Sequence, residues 1–268
     1  VESIWDRLTS SHIIDLAQPL HRGMPVSANH PAFQLALMRR HGDIVRSDGG
    51  SAANEIIVIG GHVGTHIDAL AHVSQDGILH GGVEPDSIQS NLGFSELGIE
   101  TVEPIVCRGV ILDIAALHGV DLLEGGYEVS VEDLDEAARR QSVDVMEGDA
   151  VLIRTGWSRH WNNPTAFIGT ETGTPGPGEA AAGWLSEHRI RLAGAETIAF
   201  EVIAPARGHA VLPAHRILLV EAGIHIIEVM DLSALAEVGV SEFLFVASPL
   251  KLVGATGSPI RPIALIDD

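Results

Sequence analysis

The segment Gly61-His62-Val63-Gly64-Thr65-His66-Ile67-Asp68-Ala69-Leu70-Ala71-His72 places three histidines and one aspartate within a dozen residues. Imidazole and carboxylate are the usual ligands of zinc and similar divalent ions. A further polar side chain just past three ligands is placed to transfer protons. The segment points to metal-assisted hydrolysis.

Spacing decides what backbone must carry these groups. On a helix, positions 62 and 66 share a face, but position 68 falls about 240° round from 62. On an extended chain positions 62, 66, 68 and 72 share one face. A straight strand fails nonetheless, because 62 to 68 would span about 20 Å, whereas a metal accepts ligands at about 2 Å. The chain is expected to be extended but bent, with Gly64 at the bend. A helical H-E-x-x-H site is excluded, since Val63 stands where its glutamate would be. Distal candidates that would complete the site are His209, His215, Glu221, His225 and Glu228. Glu228 closes the apolar run from Ile224, where an unpaired carboxylate is costly. His215 follows Pro213-Ala214 and opens a helical run. From the residues alone, these last two are as readily structural as ligating. His12, His21, His30, His41, His80, His118, His160 and His188 lack such company and read as turn, surface or hydrogen-bonded core residues.

The elements that must position these residues alternate between strand and helix. Strands are expected at 13–16, 54–60, 105–114, 149–154, 191–195, 198–201, 224–229, 243–247 and 260–266, from β-branched and apolar runs bounded by turn residues. Helices are expected at 131–141, capped by Ser130 with Asp133 three residues on, at 179–188 with Trp184 and Leu185 inward, and at 212–222, closed by Gly223. The 268 residues are 46% apolar and only 4% aromatic, so a large core built on Val, Ile, Leu and Ala is expected. No repeat or disordered linker divides the chain, which reads as a single domain, residues 1–268, of mixed α/β type.

A net charge of −20 argues against nucleic acid or an anionic membrane surface as partner. The single cysteine, Cys107, permits no intrachain disulfide and reads as a small buried hydrophobe, compatible with a cytoplasmic protein. No run of about 18 apolar residues suggests a membrane span, and the start at Val1 lacks a signal-peptide pattern. A serine hydrolase is disfavoured, since no Gly-x-Ser-x-Gly elbow occurs.

His62-Val-Gly-Thr-His66-Ile-Asp68-x-x-x-His72 resembles the H-x-G-T-H-x-D-x-P-x-H signature of the metal-dependent cyclase hydrolases, a family with kynurenine formamidase, isatin hydrolase and trans-dienelactone hydrolase among its members. The similarity continues through Ile14-Asp15-Leu16, Gly23-Met24-Pro25, the stretch Gly148 to Trp157, Ala199-Phe200-Glu201, Pro213-Ala214-His215, Ile226-Ile227-Glu228 and the stretch Thr256 to Pro262. One departure is Leu70, where the signature has proline. The segments around Glu201 and the C-terminus look closer to isatin hydrolase and dienelactone hydrolase than to formamidase.

The resemblance implies a strand-rich, swivelling β/β/α domain. It implies His62, His66 and Asp68 as metal ligands, His72 as catalytic acid/base, and His215 and Glu228 as completing a second metal site bridged by Asp68. Zinc is the expected ion and manganese the alternative, with one or two ions per chain. The expected reaction is attack of metal-activated water on a small-molecule cyclic amide or lactone, with arylformamidase activity as the alternative. A non-catalytic metal-stabilised binding protein is disfavoured, because His72 is not needed as a ligand. The substrate wall is expected from Phe33, Trp157, Phe200 and Glu201, with Pro25 and Trp5. A homodimer or homotetramer is implied by the same analogy.

Overall fold

The structure, a computed structural model, describes residues 10–267, so Trp5 lies outside the described residues. In chain order the strands are β1 (His12–Asp15), β2 (Gln34–Arg39), β3 (Asn54–Val58), β4 (His66–Asp68), β5 (Gln89–Ser90), β6 (Gly93–Phe94), β7 (Ile105–Asp113), β8 (Glu128–Val129), β9 (Ala150–Arg154), β10 (Gly176–Pro177), β11 (Leu192–Ala195), β12 (His225–Glu228), β13 (Glu242–Ala247), β14 (Gly257–Pro259) and β15 (Ile263–Ile266). Nine of them form one sheet in the order β1-β15-β13-β7-β9-β11-β12-β4-β14. Its centre, β7-β9-β11-β12, is parallel, and antiparallel strands continue it on both sides.

Strand alternation explains why both faces are buried. Val110, Leu112, Val151, Ile153, Ala193, Ala195 and Ile226 point to one face. There they meet helix Val131–Gln141 through Leu134 and Ala137, helix Glu179–Glu187 through Ala181, Ala182 and Leu185, and segment 213–222 through Ala214, Ile217 and Leu218. Ile111, Leu152, Leu192 and Ile227 point the other way and meet Ile14, Ile67, Phe245 and Ala264 from strands nearer the sheet's ends. The sheet therefore curls over its own second core as a half-barrel, giving the mixed, strand-rich single domain expected.

Helix Val131–Gln141 carries the expected capping box between Ser130 and Asp133. Leu185 is fully buried, and Trp184, partly buried, packs against the same core while its indole N–H donates to Asp135 (3.0 Å). Segment 213–222 begins as an α-helical turn, Pro213–His215, continues as a π-helix, Arg216–Ala222, and closes at Gly223 with φ 70°. The expected strand at 198–201 is a turn instead. Phe200 has φ 57°, and Glu201 N donates to Ala199 O across it, which no ladder residue can do.

One buried carboxylate ties the parallel strands together at their carboxyl ends. Glu196, fully buried just past β11, accepts at Oε2 from Thr155 N (2.8 Å), Thr155 Oγ1 (3.1 Å) and Gly156 N (2.6 Å), and at Oε1 from Ser158 Oγ (2.8 Å). Burial pushes its carboxyl pKa up despite these donors and nearby Arg154. The folded state thus holds the proton more tightly than the unfolded chain. The linked stability is complete below the unfolded glutamate value, about 4.3, and is lost as pH rises through the folded value. Glu196→Gln should therefore gain on the wild type as pH rises from 4 to 8 in urea-unfolding experiments. Glu196→Ala should lose about 3 kcal/mol or more, because it strands several buried donors at about 1–3 kcal/mol each.

Candidate active site

All six ligand and proton-transfer candidates, drawn from three separate parts of the chain, converge where β12 ends beside β4. His66 and Asp68 bound β4, and the β4–β12 register sets His66 opposite Glu228. The expected bend is present: Gly64 has φ 70°, and a Cβ there would strike Leu20. The turn brings His62 back over Asp68, with His62 Nδ1 donating to Asp68 Oδ1 at 2.8 Å and Thr256 Oγ1 at 2.9 Å from Nε2. Gly257 is needed beside it, since a Cβ there would run into the His62 ring. His72 stacks on His62, ring centroids 3.8 Å apart at 23°, and lies 6.2 Å from His215.

Second partners aim the imidazoles. His66 Nδ1 donates to Gly64 O (2.7 Å), leaving Nε2 3.3 Å from Glu228 Oε2 and 3.6 Å from Asp68 Oδ1. His215 Nδ1 donates to Glu201 Oε1 (2.8 Å), leaving Nε2 3.2 Å from Glu228 Oε1 and 3.7 Å from Asp68 Oδ2. Such carbonyl and carboxylate partners fix tautomer and ring orientation at metal sites. Two trios of donor atoms each lie within 4.8 Å of one another: His62, Asp68 and His72, and Asp68, His215 and Glu228. Asp68 belongs to both. His66 belongs to neither trio but sits against Asp68 and Glu228, and His72 lies closer to donor geometry than its expected role requires.

The electrostatics fit a cation. Asp68 and Glu228 are buried, yet Asp68 Oδ2 and Glu228 Oε1 accept no hydrogen bond. Buried carboxylate oxygens are otherwise nearly always satisfied. Burial alone would lower the pKa of His215, but its hydrogen bond to Glu201, the Glu228 carboxylate facing Nε2 and the charge of Asp68 push it up to about 10. His66 is likewise raised, against its burial, by Glu228 and Asp68. Protons are thus drawn to the edges a divalent ion would occupy, as expected of a site that exchanges protons for metal. His72 is different: burial, with His62 and His215 nearby, lowers it to about 4 despite Asp68 and Glu228.

A sequence model of the Cyclase family matches residues 14–202. The chain belongs to the Cyclase family. An isatin hydrolase from Roseibium aggregatum is 29% identical over 224 residues, 82% of this chain and 77% of that protein. A kynurenine formamidase from Geobacillus thermodenitrificans is 26% identical over 251 residues, 92% of this chain and 94% of that protein. A solved structure of a novel cyclase superposes with a TM-score of 0.85 at 30% identity, covering 96% of this chain and 88% of the other.

Within this Cyclase-family fold, the described residues expected at the substrate wall are buried. Glu201 is buried and both its oxygens are used, Oε2 by Ala214 N (3.0 Å) and Oε1 by His215 N and Nδ1. It holds His215 rather than facing a substrate. Phe200 is fully buried in the core on the helix side of the sheet. Trp157 and Phe33 are buried with Met24, Trp161 and Phe167, and the Trp157 indole N–H donates to Phe167 O (2.8 Å). Of the other distal candidates, His225 Nδ1 donates to the Asp68 carbonyl (2.8 Å) and Glu221 pairs with Arg216. His30 was missed: its ring stacks on His62 with centroids 5.6 Å apart. Burial, His62, His66 and His209 lower its pKa. It arrives from a loop with no spacing relation to the signature.

Proposed function

We propose that this protein is a metal-dependent hydrolase that opens a cyclic amide, an isatin-like lactam first, with dienelactone-like lactones in the same mechanistic class. The observation that carries the proposal is the pair of buried carboxylates, Asp68 and Glu228, each with an oxygen that accepts no hydrogen bond beside one imidazole. Uncompensated buried charge costs several kcal/mol, and a divalent cation removes that cost. His62, His66, Asp68, His215 and Glu228 would hold one or two ions, with Asp68 shared. The mixed imidazole and carboxylate donors suit zinc first and manganese second. When bound, such an ion supplies Lewis acidity that polarises a carbonyl and acidifies water. His72 is the group that takes a proton from the attacking water and returns one to the departing nitrogen or oxygen. The isatin hydrolase relative supports the lactam, and the kynurenine formamidase relative supports the alternative, an aryl formamide.

The test is an absorbance assay with zinc or manganese against isatin, N-formylkynurenine and a dienelactone. Isatin opening that a chelator abolishes and metal restores is expected. Preference for N-formylkynurenine would select the alternative. Metal binding without turnover of any of the three would leave the non-catalytic binding protein and sink the enzyme.

We further propose self-association through β2 and β3. Both strands of this hairpin are exposed along their whole length, including Leu37, Met38, Ile56, Ile57 and Val58. An isolated two-stranded hairpin is marginal in water. Its charges cancel, Arg39, Arg40 and Arg46 against Asp43, Asp48 and Glu55, in a chain of net charge −20. Two copies therefore meet with least repulsion at this arm. Leu37→Lys with Ile57→Lys should convert a dimer or tetramer to monomer in size-exclusion light scattering. A wild-type monomer would refute the arm's role. Among the described residues no helix is long and apolar enough to cross a membrane.

A further inference from the structure

Glu201 and Glu228 meet His215 from opposite sides, at Nδ1 and at Nε2. Each adjoins a buried residue in the left-handed region: Phe200 at φ 57° precedes Glu201, and Val229 at φ 58° follows Glu228. Neither an aromatic nor a β-branched residue adopts this conformation without an external constraint. Two buried threonines supply it. Thr65 Oγ1 donates to Val229 O (2.5 Å) and accepts from Gln18 N (2.8 Å). Thr197 O accepts from Val229 N (3.2 Å), and Thr197 Oγ1 donates to Phe200 O (3.3 Å). Both hydroxyls therefore end on the carbonyl of a left-handed residue next to a carboxylate that faces His215.

We propose that Thr65 and Thr197 are positioning residues: together they lock Val229 and Phe200 in place and so aim Glu228 and Glu201 at His215. The inference rests on the metal reading of Asp68, His215 and Glu228. Without the Thr65 hydroxyl, Val229 keeps the N–H bond to Thr197 O but loses the bond on its carbonyl, and its strain then favours relaxation toward extended backbone. The peptide it shares with Glu228 turns with it, and the carboxylate swings away from Nε2. Thr65 also sits between Gly64 and His66, so the same hydroxyl ties the bend that carries His66 to the end of β12.

The experiment is zinc competition against a chromophoric chelator, with thermal melts of the metal-free protein, on the full chain. Thr65→Val should weaken zinc binding by about 10-fold, the low end of the loss on removing a partner bonded directly to a ligand, because Thr65 acts through Val229, while Thr65→Ser stays within about threefold of wild type. Adding Val229→Gly to Thr65→Val should recover most of the affinity, because glycine adopts the left-handed conformation without strain and so has no drive to leave it. Thr197→Val, which frees only the Phe200 carbonyl, should weaken binding in the same direction and serves if Thr65→Val does not fold. Unchanged affinity in Thr65→Val overturns the proposal. So does a lowered melting temperature with affinity that Val229→Gly fails to restore, the pattern of a purely structural threonine. If wild type takes no zinc, the metal reading fails, and the clamp is judged by the His215 imidazole resonances. Thr65→Val must shift them and Val229→Gly must return them; unmoved resonances overturn it.

Discussion

His72→Ala is expected to fold and to keep its metal while kcat falls by about 10²–10⁴-fold, the usual contribution of a positioned proton-transfer group. The backbone that places His72 survives the change, since its N–H still donates to Ala69 O (2.9 Å). The ring lies between the His62 and His215 sides of the site. Burial lowers its pKa to about 4, so the ring is neutral at pH 7. The geometry also sets a sharp alternative, because a His72 ring nitrogen lies within 4.8 Å of donor atoms on His62 and Asp68. Elemental analysis beside turnover separates the two roles. A ligand would take metal and activity away together; a proton carrier takes only activity. Loss of bound metal in His72→Ala, or full turnover, ends the assignment.

What was legible in the sequence is what local geometry alone determines. The bend at Gly64 followed from an argument about reach, and the capped helix at 131–141 from side chains three residues apart. Glu228 was conspicuous because a carboxylate closing an apolar strand needs a partner. The partners themselves were not legible. Thr256 reaches His62 from 194 residues away, and His30 arrives on a loop with nothing periodic about it. Glu201 is expected at the substrate wall beside Phe200, yet its oxygens are spent on segment 213–215. The apolar run 198–201 has strand propensity, but Thr197 Oγ1 donates to Phe200 O and Glu201 N to Ala199 O, and these local turn bonds replace the ladder. Propensity types 54–60 as a strand, of which β3 takes Asn54–Val58, but it does not tell whether a β-branched run is covered by its own chain or by another. The structure leaves its apolar side chains half exposed.

Asp68→Asn should have the largest effect of any single change, because Asp68 is the one residue common to both donor trios. Its Oδ1 faces His62 and His66, its Oδ2 faces His215, and its carbonyl accepts from His225. Asparagine preserves the volume and that carbonyl bond, so the strand should remain in register. It removes the charge and one of the two ligating oxygens at the point where the two groups join. A ligand that binds only the folded state stabilises it by about 2.7 kcal/mol at 100 times its Kd. Wild type should therefore melt higher with added zinc or manganese, and Asp68→Asn should show no such rise. Turnover should fall by roughly 10³-fold or more, since the carbonyl polarisation lost with the ion is worth several kcal/mol. Glu228→Gln alters one trio only and should retain part of the melting response. If Asp68→Asn kept the full metal-dependent rise in melting temperature, Asp68 would not be the shared ligand, and the two trios would have to be read as hydrogen-bonded core histidines.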